Sequence, residues 1–401
     1  MNVIDSRPRC RTWLLAVTLS ALAAACGKDQ ILGTNGIAAL VPAVTSVTPL
    51  NAATGVPTNT LVTATFNEAM APISGAASMR VTCAAPCVNP TGTVTLDATH
   101  TIATFTLTPG TTLATGTQYT VTITGATSRA NGIAMAGPYT WQFTTVASMT
   151  LVSLGTAAPF GALGGGSAGM TNSGILTVIN GDIGTTAAST LVTGFHDTSP
   201  GCTYTETALN MGAVNGLIYT APPPPTVACP GEGTAATFAK AQQAHADALT
   251  AYNALVAKPA GPDPGAGNLA GLTLAPGDYT AAAGSFMIQG GDLTLDARGD
   301  ANAAWVFQMA TSLTVGGPGA AFPQSVLLVN GAQAKNVYWQ VGSAATINAA
   351  GGGTMVGTII SQAGATFSTA GNTTIVTLDG RVLSLGASVT LVDTVINAPG
   401  P

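Results

Sequence analysis

A chain of 401 residues of which only 7% are charged and 5% aromatic, with 49 Gly and a formal net charge of −5, is not built like a cytosolic enzyme. Its acidic balance argues against a nucleic-acid partner. Small β-branched residues favour closely packed sheets, and abundant Gly and Pro supply tight turns, so the expected fold class is mainly β.

The N-terminus sets Arg7, Arg9 and Arg11 before the apolar run WLLAVTLSALAAAC, the charged and hydrophobic regions of an export signal. At about 14 residues the run is too short to span a bilayer. It ends LAAAC, which resembles the lipobox of bacterial lipoproteins, with Ala23 where that family prefers Leu. The resemblance implies removal of residues 1–25 and lipidation of Cys26, simple secretion being the alternative, and Gly27 implies sorting to an outer membrane. Losing that segment removes three Arg and Asp5 and takes the net charge from −5 to −7. Residues 26–43 then read as a tether, so the only membrane contact expected is the lipid anchor.

From Val44 the runs LVTATFNEAM, GTVTLDA, TIATFTL, QYTVTITG and YTWQFTT alternate with period two between turn residues, the spacing of a β-sandwich. Residues 44–147 have the length of one Ig-like unit. The stretches VTPLNAATGVPTNTLVTATFNEAM, FTLTPGTTLATGTQYTVTITG and YTWQFTT resemble the bacterial Ig-like domains of surface-layer and secreted proteins. That resemblance implies a spacer without a site of its own, and Glu68 reads as a solvated edge charge. Cys83 and Cys87 in CAAPC, and Cys202 and Cys229 around a loop ending APPPPTVAC, are candidate disulfide pairs for an oxidising compartment. Zinc is the alternative, but it needs four ligands, and His100, His196 and His245 are widely scattered.

Beyond Leu151 the chain repeats. Setting VYWQVGSAATI (337–347) on RVLSLGASVTL (381–391) places Gly342 on Gly386 and Thr346 on Thr390, an offset of 44. IISQAGATF puts Gly364 22 residues from each glycine, and Ile360 midway between Tyr338 and Val382, so one coil is read as 22 residues. WVFQMATSLTV (305–315) matches 337–347 at an offset of 32, a coil with an insertion. A period in the low twenties with Gly corners is the pattern of a stacked β-solenoid. TFAKAQQAHADALTAYNALVAK (237–258) departs from it. His245, Leu249, Tyr252 and Val256 form one apolar stripe on a helix, with Thr234 as N-cap and Pro259 as stop. The helix is expected to cover one solenoid face, with His245 packed rather than catalytic.

Several segments then occur in order: LGTAAPFGALGGGSAGMTNSGILTVINGDIGT (154–185), VTGF (192–195), the helix with AYNAL, LAGLTLAPGDYT (269–280) and LTLDARGDANAAWVFQMATSLTV (293–315). They continue with LLVNGAQAKNVYWQVGSAATI (327–347), GTII (357–360) and LDGRVLSLGASVTL (378–391). Together they resemble the microbial ice-binding proteins over residues 151–398. The resemblance implies a right-handed discontinuous β-solenoid with one long α-helix packed alongside. It also places Arg298-Gly299-Asp300, an adhesion tripeptide by composition, in a generic turn between strands, where receptor binding is not expected.

Catalytic inventory is thin. Asp278, Asp292, Asp296, Asp300, Asp379 and Asp393 stand mostly in turn contexts, none pairs in sequence with a His or base, and no phosphate loop, nucleophile elbow or metal cluster is present. No enzyme activity, cofactor or metal is expected. A solenoid face repeats at about 4.8 Å between strands and about 6.7 Å along them, a scale on which outward Thr and Asn order water. The ice-binding family often marks that face with Thr-Ala/Gly-x-Thr/Asn. TAGN, Thr369, Ala370, Gly371 and Asn372, matches it, with Thr374 beside it, and Thr171, Asn172, Ser173 and Thr177 hold the similar place in the first coil. NAAGGG (348–353) departs from the motif. The expected partner is an ice or ordered-water surface contacted by a monomer, and a surface adhesin of the same fold that does not bind ice is the alternative.

Overall fold

The computed structural model describes residues 40–73, 79–146, 152–166, 168–317 and 323–400. Cys10, Cys26 and the whole of residues 1–25, the segment expected to be an export signal, lie outside the described residues.

The N-terminal unit is a sandwich of two four-stranded sheets. One runs Val44–Thr48, Val62–Phe66, Ile102–Leu107, Gly92–Leu96; the other runs Ala53–Val56, Tyr139–Thr145, Gln118–Ile123, Met79–Cys83. Strand alternation builds its core: Val62, Ala64 and Phe66 point in while Thr63 and Thr65 point out. Trp141, Phe143, Tyr119, Met70 and Met79 fill the space between the sheets. A disulfide joins Cys83 to Cys87 at the end of its strand. Glu68 is not a solvated charge as expected. It is half-buried and accepts a 2.6 Å hydrogen bond from the hydroxyl of buried Ser128.

The second unit is a solenoid of parallel strands with three faces. The first face is a seven-stranded sheet in the order Val192–Thr193, Met170–Asn172, Val389–Leu391, Ala365–Phe367, Ala345–Ile347, Leu313–Val315, Phe286–Ile288. This is not chain order. The last coil returns and pairs with the first, Thr390 lying against Thr171, so the solenoid is discontinuous. The strands Thr354–Ser361 and Val376–Ser384 each run across a corner from the third face to the second, and they bend at Gly357 and Gly380, which are in register. Gly357 has φ +96°, and a Cβ on Gly380 would lie 1.9 Å from the Gly357 carbonyl oxygen, so the corner closes only with glycine at both levels. The interior is a column of rings crossing coils: Phe307 stacks on Trp339 at 4.1 Å, on Tyr279 at 5.5 Å, and meets Phe286 edge-on at 5.9 Å.

On the first face the offsets of 44 and 32 match the strand register: Thr346 and Thr390 share a row through one intervening strand, and Thr314 pairs with Thr346. On the second face Tyr338 reaches Arg381 through Thr358, so the offset there is 43 and Tyr338 does not lie over Val382. The midway coil does not sit where the glycines suggested. Thr346 pairs with Thr366 and Thr366 with Thr390, steps of 20 and 24 residues. Gly364 therefore aligns with Ala344 and Ser388, and Ile360 with Gln340 and Leu383. On the first face the slip is two residues and each side chain keeps its own side of the sheet; on the second face Ile360 meets Leu383 instead of Val382, a slip of one, and Val382 faces the interior while Ile360 and Leu383 face the helix.

The helix Ala235–Val256 covers the second face. Thr234 caps it: its hydroxyl accepts from the Thr237 amide at 3.2 Å, and the Thr237 hydroxyl accepts from the Thr234 amide at 2.9 Å. The buried stripe is rotated from the one expected. Ala241, Ala244, Ala248, Ala251, Tyr252 and Leu255 face Leu163, Val306, Tyr338, Ile360 and Leu383, while Leu249 and Val256 are exposed. Alanine lets the helix axis approach a sheet already bearing large residues, so volume rather than hydropathy chose the face. His245 is packed and donates to the Leu385 carbonyl at 2.7 Å. The helix mid-point is pinned by Asp247, which accepts from both the amide and the hydroxyl of Thr156 at 2.7 Å.

Candidate functional site

The aspartates singled out in the sequence are held at separate places in the solenoid. Asp393 brackets a corner by accepting from the amides of Ile175 and Leu176 at 2.8 and 2.9 Å, and Asp292 accepts from the Ser325 amide at 2.7 Å. Asp278 and Asp379 lie on strands rather than in turns. Among the described residues the ion pairs are His196 with Glu206 at 2.6 Å and Lys258 with Asp278 at 3.8 Å. The grouping of possible metal ligands there is Cys202, Cys229 and Glu232, and its two sulfurs are joined to each other as a disulfide.

That disulfide lies in the segment around the Val192–Thr193 end of the solenoid and shields a buried acid. Glu232 accepts from the Tyr204 hydroxyl at 2.5 Å, with Asp197, Ser199 and Thr220 close by and Lys240 lining the cavity next to it. Burial pushes the Glu232 carboxyl up from 4.5 to about 7, with the Asp197 carboxylate adding to the rise. Between those values the folded chain keeps a proton that the unfolded chain has released, so the stability that Glu232 contributes is full below pH 4.5 and is lost as pH rises through about 7. Melting followed by calorimetry is expected to drop by a few degrees between pH 5 and pH 8. Glu232→Gln removes that slope; a slope unchanged in the variant assigns it to another group.

The expected water-ordering residues separate into two sets. Thr171 points outward from its strand and Ser173 is exposed. Asn172 and Thr177 do not face solvent. Asn172 is fully buried because alternation puts it at an inward position, level with Leu391. Its side-chain amide donates to the carbonyls of Gly174 and Gly194 at 2.7 and 3.0 Å, and its oxygen accepts from the Thr177 hydroxyl at 2.7 Å. Thr177, 1% exposed, also accepts from the Thr394 amide, so both residues brace a corner. TAGN lies on the turn between the first and third faces. Thr369, Ala370, Gly371 and Thr374 are exposed, and half-buried Asn372 donates to the Ala349 carbonyl at 2.8 Å.

What the fold does bring together is a ladder. The outward residue of each first-face strand pairs with the next: Thr193 with Thr171, Thr171 with Thr390, Thr390 with Thr366, Thr366 with Thr346, Thr346 with Thr314, and Thr314 with Met287. Six threonines thus stand in one row about 24 Å long at the usual strand spacing. Two positions earlier, at the same pleat, come the small residues Ser312, Ala344, Gly364 and Ser388, while at the Thr193 end the exposed Leu191 stands beside the row. No strand of this sheet carries a charged residue. The third face differs. It carries an amide ladder in which Asn215 donates to Asn180, Asn180 to Asn397, and Asn397 to the Asp379 carboxylate, at 2.7, 2.7 and 2.8 Å. The second face is under the helix. Of the threonine row only Thr171 was among the residues expected from the motif; the signal for Thr314, Thr346 and Thr390 was the repeat alignment, which had already set Thr346 over Thr390.

Residues 165–397, more than half of the chain, match the model of the ice-binding-like family, and residues 39–145 match that of a bacterial Ig-like domain. The chain is 34% identical over 252 residues to the ice-binding protein of Nostoc sp. (strain HG1), covering 62% of this chain and 76% of that one. It is 38% identical over 135 residues to ice-binding protein 1 of Shewanella frigidimarina (strain NCIMB 400), 31% of this chain but 14% of that longer protein. The solved domain of Shewanella frigidimarina ice-binding protein 1 superposes with a TM-score of 0.51 at 27% identity, covering 63% of this chain and 99% of that domain. With the discontinuous solenoid, the flanking helix and this match together, the chain belongs to the ice-binding-like family.

Proposed function

We propose that this chain is exported and adsorbs to ice through its first face, without catalysing a reaction. The observation that carries the reading is the unbroken, uncharged row of six threonines. Each side chain offers a hydroxyl, which both donates and accepts, and a methyl that excludes disordered water. A charged group would hold its own hydration shell against a crystal lattice, and the strands of this face have none. Parallel pairing, the aromatic column and the helix behind keep the row rigid, so little ordering entropy is lost on adsorption. The names of the relatives as ice-binding proteins support the same reading. Ser173, Thr369, Ala370, Gly371, Asn372 and Thr374 form the margin of the face along the corner.

The sandwich serves as a spacer, and Cys26 as a lipid anchor at an outer membrane, so that a monomer is held at the cell surface toward ice. The test is crystal growth in annealed frozen sucrose containing the full chain at micromolar concentration. Unchanged crystal size withdraws the role. Thr369→Tyr, on the corner, is expected to weaken the inhibition without abolishing it, measured by dilution to the inhibitory endpoint. Complete loss in that variant moves the centre of contact from the row to the turn. Palmitate labelling that survives in Cys26→Ser rejects the anchor.

A further inference from the structure

The tripeptide Arg298-Gly299-Asp300 has a use inside the molecule. The turn is built by the solenoid alone. Asp296 accepts from the Arg298 amide and from the Asn330 side chain, each at 2.8 Å, and the Gly299 amide donates to the Asn330 carbonyl at 2.8 Å. These bonds hold Arg298 at φ 51° and Gly299 at φ 86°, left-handed conformations that push the turn outward as a knob. The knob meets the sandwich. Asn59 donates through its side-chain amide to the Arg298 carbonyl, and the Thr58 hydroxyl lies 3.5 Å from an Asp300 carboxylate oxygen. A Cβ on Gly299 would come within 2.8 Å of the Asn59 nitrogen, so a side chain there would displace the Asn59 amide from the turn. Thr58 is 3% exposed although it belongs to a turn, and its carbonyl accepts from Leu113, which fixes that turn to its own sandwich. The surfaces close over a cavity of about 270 Å³ lined by Pro57 and Val146 on one side and Pro276 and Ala303 on the other.

We infer that the Arg298–Asp300 turn is a docking knob for the Ig-like domain of the same chain, setting the angle at which the solenoid is carried. A receptor of the kind that reads Arg-Gly-Asp must reach the Asp carboxylate, and here that group faces Thr58 and accepts from the Asn302 amide at 2.8 Å. The knob does not depend on ice as ligand. It concerns how any face of the solenoid is aimed.

The experiment places spin labels at Ala98 on the sandwich and Thr250 on the helix, as Ala98→Cys and Thr250→Cys in the oxidised full chain carrying Cys10→Ser and Cys26→Ser, and reads the distance distribution. One narrow peak is expected. Asn59→Ala with Asp300→Ala broadens it about twofold, since small polar domain interfaces otherwise permit relative motion. Thr58→Val, isosteric and lacking only the hydroxyl, moves the width in the same direction to a smaller extent and serves if the double variant is unstable. Equal widths in wild type and both variants overturn the proposal. So does attachment of receptor-bearing cells to the full chain that a soluble Arg-Gly-Asp peptide displaces.

Discussion

Thr346→Tyr is expected to abolish inhibition of ice recrystallisation while leaving the fold intact. Thr346 is the fifth of six threonines in the row and points to solvent between Thr366 and Thr314, so a phenol there has room and stability changes by less than about 0.5 kcal/mol. It stands several ångströms above the methyl plane, and a crystal surface, unlike a protein partner, cannot repack around it. The face is lifted off along much of its length. A loss of about tenfold or more in inhibitory endpoint, roughly 1.4 kcal/mol or more of adsorption free energy, is the minimum expected. Thr346→Ser, which removes the methyl and keeps the hydroxyl, separates the two contributions. An endpoint unchanged in Thr346→Tyr moves the contact off this sheet, and the asparagine ladder of the third face becomes the next surface to alter.

The largest effect on stability is expected at Phe307. It is completely buried and touches the rings of Tyr279, Phe286 and Trp339, which come from other levels of the column. Phe307→Ala leaves a void that parallel strands, fixed by their ladders on both sides, cannot collapse to fill, and the cost is about 3–5 kcal/mol. The sandwich has a core of its own. Urea unfolding followed by tryptophan fluorescence is therefore expected to show the solenoid transition moving to lower urea while that of the sandwich stays. A shift below about 1 kcal/mol would mean that neighbouring rings close the gap and the column is less rigid than its geometry implies.

Both architectures were legible because they depend on local signals. Period-two runs between turns mark the sandwich, and the 44-residue and 32-residue offsets mark stacked coils. The helix was legible too, from its Ala content and its Thr234 cap, but not its orientation, since which stripe is buried depends on the bulk of the partner face. The corner coil was misplaced by two residues because Gly342, Gly364 and Gly386 look equivalent in sequence while serving different points of their turns. The site was half legible for a similar reason. A four-residue motif led to TAGN on a turn, and to Asn172 and Thr177, which alternation turns inward. The row itself is written as one threonine per strand at uneven spacings, and its continuity across Thr171, Thr193 and Thr390 depends on a pairing between the two ends of the domain that no local pattern announces.

That pairing has a consequence for how the molecule is made. The strand Val389–Leu391 is inserted between one formed by residues 170–172 and one formed by residues 365–367, so the last coil of the solenoid is the keystone of the arch rather than its final stone. Until it arrives, two half-structures exist with open edges, and closure waits on a contact of very long sequence separation, which is slow. Removing that one coil would therefore not shorten the solenoid but part it in the middle.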